Sequence, residues 1–228
     1  MQGHGLGLLR RWRDDSTDDE AGAGPQGKSG LAGTAGGREI DFSAYSEDCR
    51  IYAYLQLAGE RLSNHLNEHS QYDLNSVLLV ALEDGRGVEL NVLTIRRDEL
   101  IAVRGTGPRG DPARRSRRRP SPVGLRAGPY MIRGYLHAPP GSDALLQFRR
   151  RPQWVPLTEA SIEHNAGGLP HQARVGTLIV NRELVDWIDH AKDAEVRRDL
   201  PAEMRVDPRA KDMTGEIRMW RHQRPAEG

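Results

Sequence analysis

One apolar pattern is written twice along this chain, first from Ile51 to Val103 and again from Ile132 to Ile188. Each passage opens on an alternating stretch, Ile51-Tyr-Ala-Tyr-Leu-Gln-Leu57 or Ile132-Arg-Gly-Tyr-Leu-His-Ala138. A short polar segment follows, then an apolar run, Val77 to Leu82 or Trp154 to Ile162. A Gly-bearing turn comes next, Asp84 to Gly87 or Asn165 to Gly168. Each passage closes on a strand pair about a charged turn, Leu93 to Ile101 or Leu178 to Val185. A repeat this short is one supersecondary unit, and it sets the architecture before any single residue does.

Ile51, Ala53, Leu55 and Leu57 fall on one side of an alternating strand, which predicts a strand with one buried face. The run Val77 to Leu82 is apolar throughout, which predicts burial on both faces. Asp84-Gly85 and Gly167-Gly168 supply the positive φ that tight hairpin turns need. The expectation is an α+β, mainly β fold: two small barrel-like or curled-sheet units, each of four strands with one or two helical turns.

The rest of the chain divides around these units. Residues 1–37 carry the acidic run Asp14 to Glu20 and then Gly, Ala and Ser, too little apolar surface to offset ordering entropy. They are expected to be a disordered tail, with Leu6 to Arg13 able to turn helical on a partner or membrane surface. Residues 38–103 form the first unit and 129–190 the second. Residues 104–128 read as an extended linker, with eight arginines against the single acid Asp111 and with Pro108, Pro112, Pro120 and Pro122. Residues 191–228 read as a partly helical tail broken at Pro201, where Ile217, Met219 and Trp220 offer a contact for a partner or for the protein's own repeats.

Charged residues make up 29% and aromatics only 5%, so the core must be modest and aliphatic. One cysteine, Cys49, excludes an internal disulfide and a cysteine-based zinc site, and fits a reducing cytoplasm. No stretch approaches the roughly 20 apolar residues of a membrane span, and the first residues do not spell a signal peptide. Net charge is +1, which argues against a chain-wide field for nucleic acid. Only Lys28, Lys192 and Lys211 are lysines, and such an arginine excess is what GC-rich codon usage produces.

Several motifs spell known chemistry without its context. Gly22-Ala-Gly-Pro-Gln-Gly-Lys-Ser29 matches a phosphate-binding loop, but no strand precedes it and no helix follows, so no nucleotide cofactor is expected. His65-Leu-Asn-Glu-His69 spells an inverted zinc-protease motif, with two imidazoles one helical turn apart and Glu68 as base. The segment is short and has no counterpart in the second unit, so a solvated helix is preferred and no metal is expected. Cys49 has no assignable histidine, and no carboxylate pair stands out, which leaves the chain without expected catalytic residues. Arg149-Arg150-Arg151 followed by Val155 to Ser161 carries half of a cyclic-dinucleotide-binding signature and lacks the rest. Trp154 and Trp187 are expected to pack in a core or between units.

Glu60-Arg-Leu-Ser-Asn-His-Leu-Asn67, with the apolar strand and charged hairpin after it, resembles a small bacterial domain family known only as a domain of unknown function. The second unit resembles the same family through Pro139-Pro-Gly141, Val155 to Ala160 and Val180-Asn-Arg182, with Ser142-Asp-Ala-Leu-Leu in place of the Arg-Leu-Ser stretch. Each match covers some 50 to 60 residues and implies a small β-rich fold with no established chemistry.

The sequence therefore points to a non-catalytic interaction, assembly or regulatory protein of the bacterial cytoplasm that binds a protein partner through tandem modules. The second reading is a nucleic-acid-associated protein using Arg114, Arg115, Arg117, Arg118 and Arg119. The third is a zinc-dependent hydrolase at His65, Glu68 and His69. Oligomeric state is left open, since exposed strand edges pair between chains as readily as within one.

Overall fold

The computed structural model describes residues 37–107 and 118–196. The glycine-rich phosphate-loop spelling, most of the arginine run, and the segment holding Ile217, Met219 and Trp220 lie outside these residues. So do the disorder expected of residues 1–36 and the helix expected beyond Val196.

The chain is mainly β. It runs β1 (Arg38–Tyr45), β2 (Cys49–Leu57), helix α1 (Leu62–Glu68), β3 (Gln71–Ala81), β4 (Gly87–Arg96), a 3-10 turn at Arg97–Glu99 and β5 (Ala102–Arg104). The same order then returns as β6 (Arg119–Ala127), β7 (Tyr130–Ala138), α2 (Ala144–Arg150), β8 (Trp154–Ala166), β9 (Leu169–Asn181), a 3-10 turn at Arg182–Leu184 and β10 (Trp187–His190). A final turn of helix, α3 (Asp193–Val196), follows. The strands make one open antiparallel sheet in the order β10-β6-β7-β8-β9-β5-β1-β2-β3-β4.

Each half has five strands, where the sequence suggested four. The missed strand is the first. In β1, Ile40, Phe42 and Ala44 alternate inward, a clear period of two. In β6 the two prolines hid the pattern, and Arg119–Ala127 was read as linker. Both are tolerated because β6 pairs with β7 along its whole length but with β10 only from Val123 to Arg126. The Pro122 carbonyl accepts from Ala191 N–H, so positions 120 and 122 aim their missing N–H away from β7, where no ladder bond is lost.

The closing strand pair of each passage also differs from expectation. β4 and β5 do not pair with each other, and neither do β9 and β10. The 3-10 turn instead carries the chain across, so that β5 pairs with β1 and β10 with β6.

Two bulges curl the sheet at matching places. Register shifts between Tyr52 and Tyr54 on β2, and between Arg133 and Tyr135 on β7. Opposite these shifts sit Ser76 at φ 49° and Glu159 at φ 48°, the two non-glycine residues with positive φ among those described. A bulge leaves one residue unpaired and bends the strand. Gly134 faces the second bulge, where a Cβ would lie 3.2 Å from the Cβ atoms of both Ala160 and Leu157. Ala53 stands at the matching place in the first half.

The first core gathers Phe42, Ile51, Leu57, Leu66, Leu79 and Ile95 with their neighbours, and the second Leu125, Ile132, Phe148, Leu157, Ile162 and Leu178. As the unbroken apolar run predicts, β3 is buried on both faces: Val77 and Leu79 in the first core, Leu78 and Val80 in a small cluster with Tyr52.

Candidate functional site

Two parts of the sheet differ from an ordinary folded half: the seam where the halves join, and the two outer edges where the sheet stops.

The seam is the pairing of β5 with β9, register Ala102↔Val180, Val103↔Ile179, Arg104↔Leu178. Asn181 N–H donates to the Ile101 carbonyl at 2.9 Å and Gly105 N–H to the Thr177 carbonyl at 2.8 Å, bracketing that register. Each half also lends side chains to the other's core. Trp154 and Ile179 enter the first core, while Tyr45, Leu82, Ile101 and Ala102 enter the second. The Trp154 indole N–H donates to Tyr72 Oη at 3.2 Å. Its backbone is clamped by Asn67, whose Oδ1 accepts from Trp154 N–H at 3.0 Å and whose Nδ2 donates to the Trp154 carbonyl at 3.3 Å. Asn181 is fully buried, its Nδ2 donating to the Arg97 and Leu100 carbonyls, both at 3.1 Å. On the other side of the seam the Tyr130 hydroxyl donates to the Ser46 carbonyl at 2.7 Å. Gly105 lies so close to β9 that a Cβ there would stand 2.8 Å from Thr177 Cβ.

The outer edges are β4 and β10, each paired on one side only among the described residues. They carry two of the large exposed apolar side chains among the described residues, Val92 at 62% and Trp187 at 45%. Trp187 was expected in a core or between the units, and it belongs to neither core. Trp154 lies in the first core, at 2% exposure. Sequence reasoning missed both edges as candidate sites. The available signal was the short strand after each charged turn, which leaves one partnerless strand at each end once the turn is read as a crossover.

The histidine motif does not assemble a metal site. Helix α1 ends at Glu68, and His69 is already extended at φ −110°. His65 Nδ1 lies 2.8 Å from Glu60 Oε1, and the His69 ring meets the His65 ring edge-on at 4.4 Å. The N–H of Glu60's own backbone, and secondarily His65, hold that carboxyl below its ordinary range. Among the described residues no group of three or more His, Cys, Asp or Glu is placed to hold a metal ion. Cys49 is fully buried, and burial pushes its thiol up to about 12, so no thiolate is available at neutral pH.

Of the arginine run, Arg118 and Arg119 lie within the described residues and Arg114, Arg115 and Arg117 outside them. Arg119 opens β6 and pairs with Ala138. Arg118 is near enough to His137 and Arg151 to repel them. His137 is held below its ordinary value, first by burial and then by Arg151 and Arg118, and Arg151 is likewise lowered by burial and Arg118. The Arg151 guanidinium donates to the His137 carbonyl. A small basic spot thus stands where the arginine run enters β6. Arg149 and Arg150 end α2, and the Arg149 carbonyl accepts from the Arg182 guanidinium.

No helix among the described residues is long and apolar enough to cross a membrane. No protein-family model, curated protein or solved structure matches the chain.

Proposed function

We propose that the two halves are tandem copies of one small β-rich unit, of the uncharacterised bacterial type that residues 60–67 and 139–141 resemble. On this reading the chain is a non-catalytic interaction, assembly or regulatory protein of the bacterial cytoplasm. It takes a protein partner by strand addition at the ends of its sheet. The observation that carries this is the pair of one-sided edges, β4 and β10, with Val92 and Trp187 exposed on them. An edge strand offers unpaired N–H and C=O groups, and proteins that do not use such an edge cover it, shorten it or charge it. Thr94→Pro and Ile188→Pro test the reading, because each places a proline where the seam register predicts an outward N–H. Tagged wild-type protein is expected to draw a stoichiometric, nuclease-resistant protein from its own cytosol, and the two variants to lose it. Capture that survives both substitutions, or that disappears with nuclease, contradicts the reading.

The neighbouring cations Arg118 and Arg151 favour a second reading, a nucleic-acid contact through Arg114, Arg115, Arg117, Arg118 and Arg119. Counterion release would make that binding fall steeply with salt, whereas a strand-edge contact with apolar anchors would not.

A further inference from the structure

We propose that the partner of these edges is a second copy of this chain, docked head to tail with β10 of one copy added to β4 of the next. This rests on the reading above, that the halves are copies of one unit. The internal seam is then a template for what each outer edge accepts. In the seam, β5 of the first half pairs with β9 of the second. The counterparts of those strands are β10 and β4, the two strands that pair on one side only among the described residues.

The ladders fix the correspondence residue by residue. Gln71↔Arg96 opens β3 against β4 as Trp154↔Asn181 opens β8 against β9, so Arg96 stands for Asn181. Tyr45↔Ala102 and Arg126↔Trp187 tie β5 and β10 to their first strands, so Trp187 stands for Ala102. Carried to the outer edges, the seam register pairs Trp187 with Ile95, Ile188 with Thr94 and Asp189 with Leu93. Asp186 comes opposite Arg96, where the seam has Ile101 opposite Asn181.

The chemistry at these positions agrees with a contact between copies. Asp186 and Arg96 are opposite charges directly across a strand pair, a favourable arrangement. Trp187, 45% exposed, occupies the place of Ala102, which is fully buried in the seam. At the neighbouring positions Gln71 takes the ladder place of Trp154, and Arg149, next to last in α2, the helix place of Asn67 in α1. They keep hydrogen-bonding groups and give up the apolar insertion.

Two features make this contact weaker than the seam. Gly105, whose Cβ would crowd Thr177, is replaced by His190, facing Val92. The Arg96 N–H, counterpart of the Asn181 N–H given to Ile101, is held in the chain by Glu99 Oε2 at 2.8 Å and must be released. The assembly is therefore reversible and concentration-dependent. It is also heterologous, so it grows into a ring or a filament according to whether the rotation closes.

The test is the native mass of the purified full chain across a dilution series. Wild type is expected above the 25.4 kDa of one chain, falling toward it on dilution. Thr94→Pro and Ile188→Pro, each shown folded by circular dichroism, are expected to be monomers alone. Mixed, they form a two-chain species, because one keeps β10 and the other keeps β4. His190→Gly, which restores the seam's glycine and needs no proline, is expected to raise the assembled fraction at a given concentration. A wild type that is monomeric at every concentration overturns the proposal, as does a mixture that forms no dimer or single variants that still pair. A monomer that nonetheless captures a cytosolic protein through the same two edges refutes self-association and leaves the strand-addition reading standing.

Discussion

The seam and the outer edges are built from strands that take the same place in each half, yet among the described residues the seam strands pair on both sides and the edge strands on one. At the seam, Trp154 fills the first core, Asn181 satisfies two buried carbonyls, and Gly105 lets the backbones approach. At the edges the same places hold Gln71, Arg96 and His190. On the proposed reading, these three positions separate a strand pairing that is a permanent part of the fold from one offered to a partner. Strand geometry provides the register in both; apolar insertion and close approach decide its strength.

The largest effect is expected where the seam is most apolar. Trp154→Ala removes an indole that is 2% exposed and should destabilise the protein by about 3–5 kcal/mol in chemical unfolding. Gln71→Ala, at the corresponding outer place, should stay within about 0.5 kcal/mol. Equal costs would break the comparison.

Asn181→Ala comes next. It leaves the Arg97 and Leu100 carbonyls without that donor and should cost about 1–3 kcal/mol, read by the same unfolding curve. Arg96→Ala is expected near zero in stability and to act on assembly instead.

Alkaline pH sharpens the account of the seam's flank. Cys49 has its thiol raised from 9.0 to about 12, and Tyr72 its hydroxyl from 10.0 to about 12, both first by burial. A raised folded-state value means the unfolded chain loses its proton first. Stability should therefore hold below pH about 9 and decline as pH climbs toward about 12. A thiol reagent at pH 8 should label the native protein far more slowly than the denatured one; rapid native labelling would contradict the burial. The smallest effect is Trp187→Ala, expected within about 0.5 kcal/mol of wild-type stability while weakening capture or assembly.

Much of this was legible in the sequence, and the losses have physical causes. The inward set Ile51, Ala53, Leu55 and Leu57, the doubly buried run from Val77 and the glycine turns are local patterns and stand as read, but the other face of β2 is buried too, at Tyr52 and Tyr54, where alternation predicted one buried face. Strand β6 was hidden because Pro120 and Pro122 usually end a strand, and their harmlessness depends on where β10 stops. Trp187 looked like a core residue because an indole beside Ile188 usually is one, and only the strand order puts it on an edge. The histidine motif assumed a helix that continues through His69, whereas this one ends a residue earlier. Nothing local says that β5 crosses to β1 and then joins β9, so the seam, and with it the open edges, depended on topology.

The most direct test of the central claim is amide hydrogen exchange, comparing the dilute protein with its partner-bound or concentrated state. Val103 in the seam should be protected to the level of global unfolding in both. Thr94 and Ile188 should exchange rapidly when dilute and become protected on association. If they are already protected in the dilute monomer, or remain fast in the complex, the sheet ends are not where this protein makes its contact.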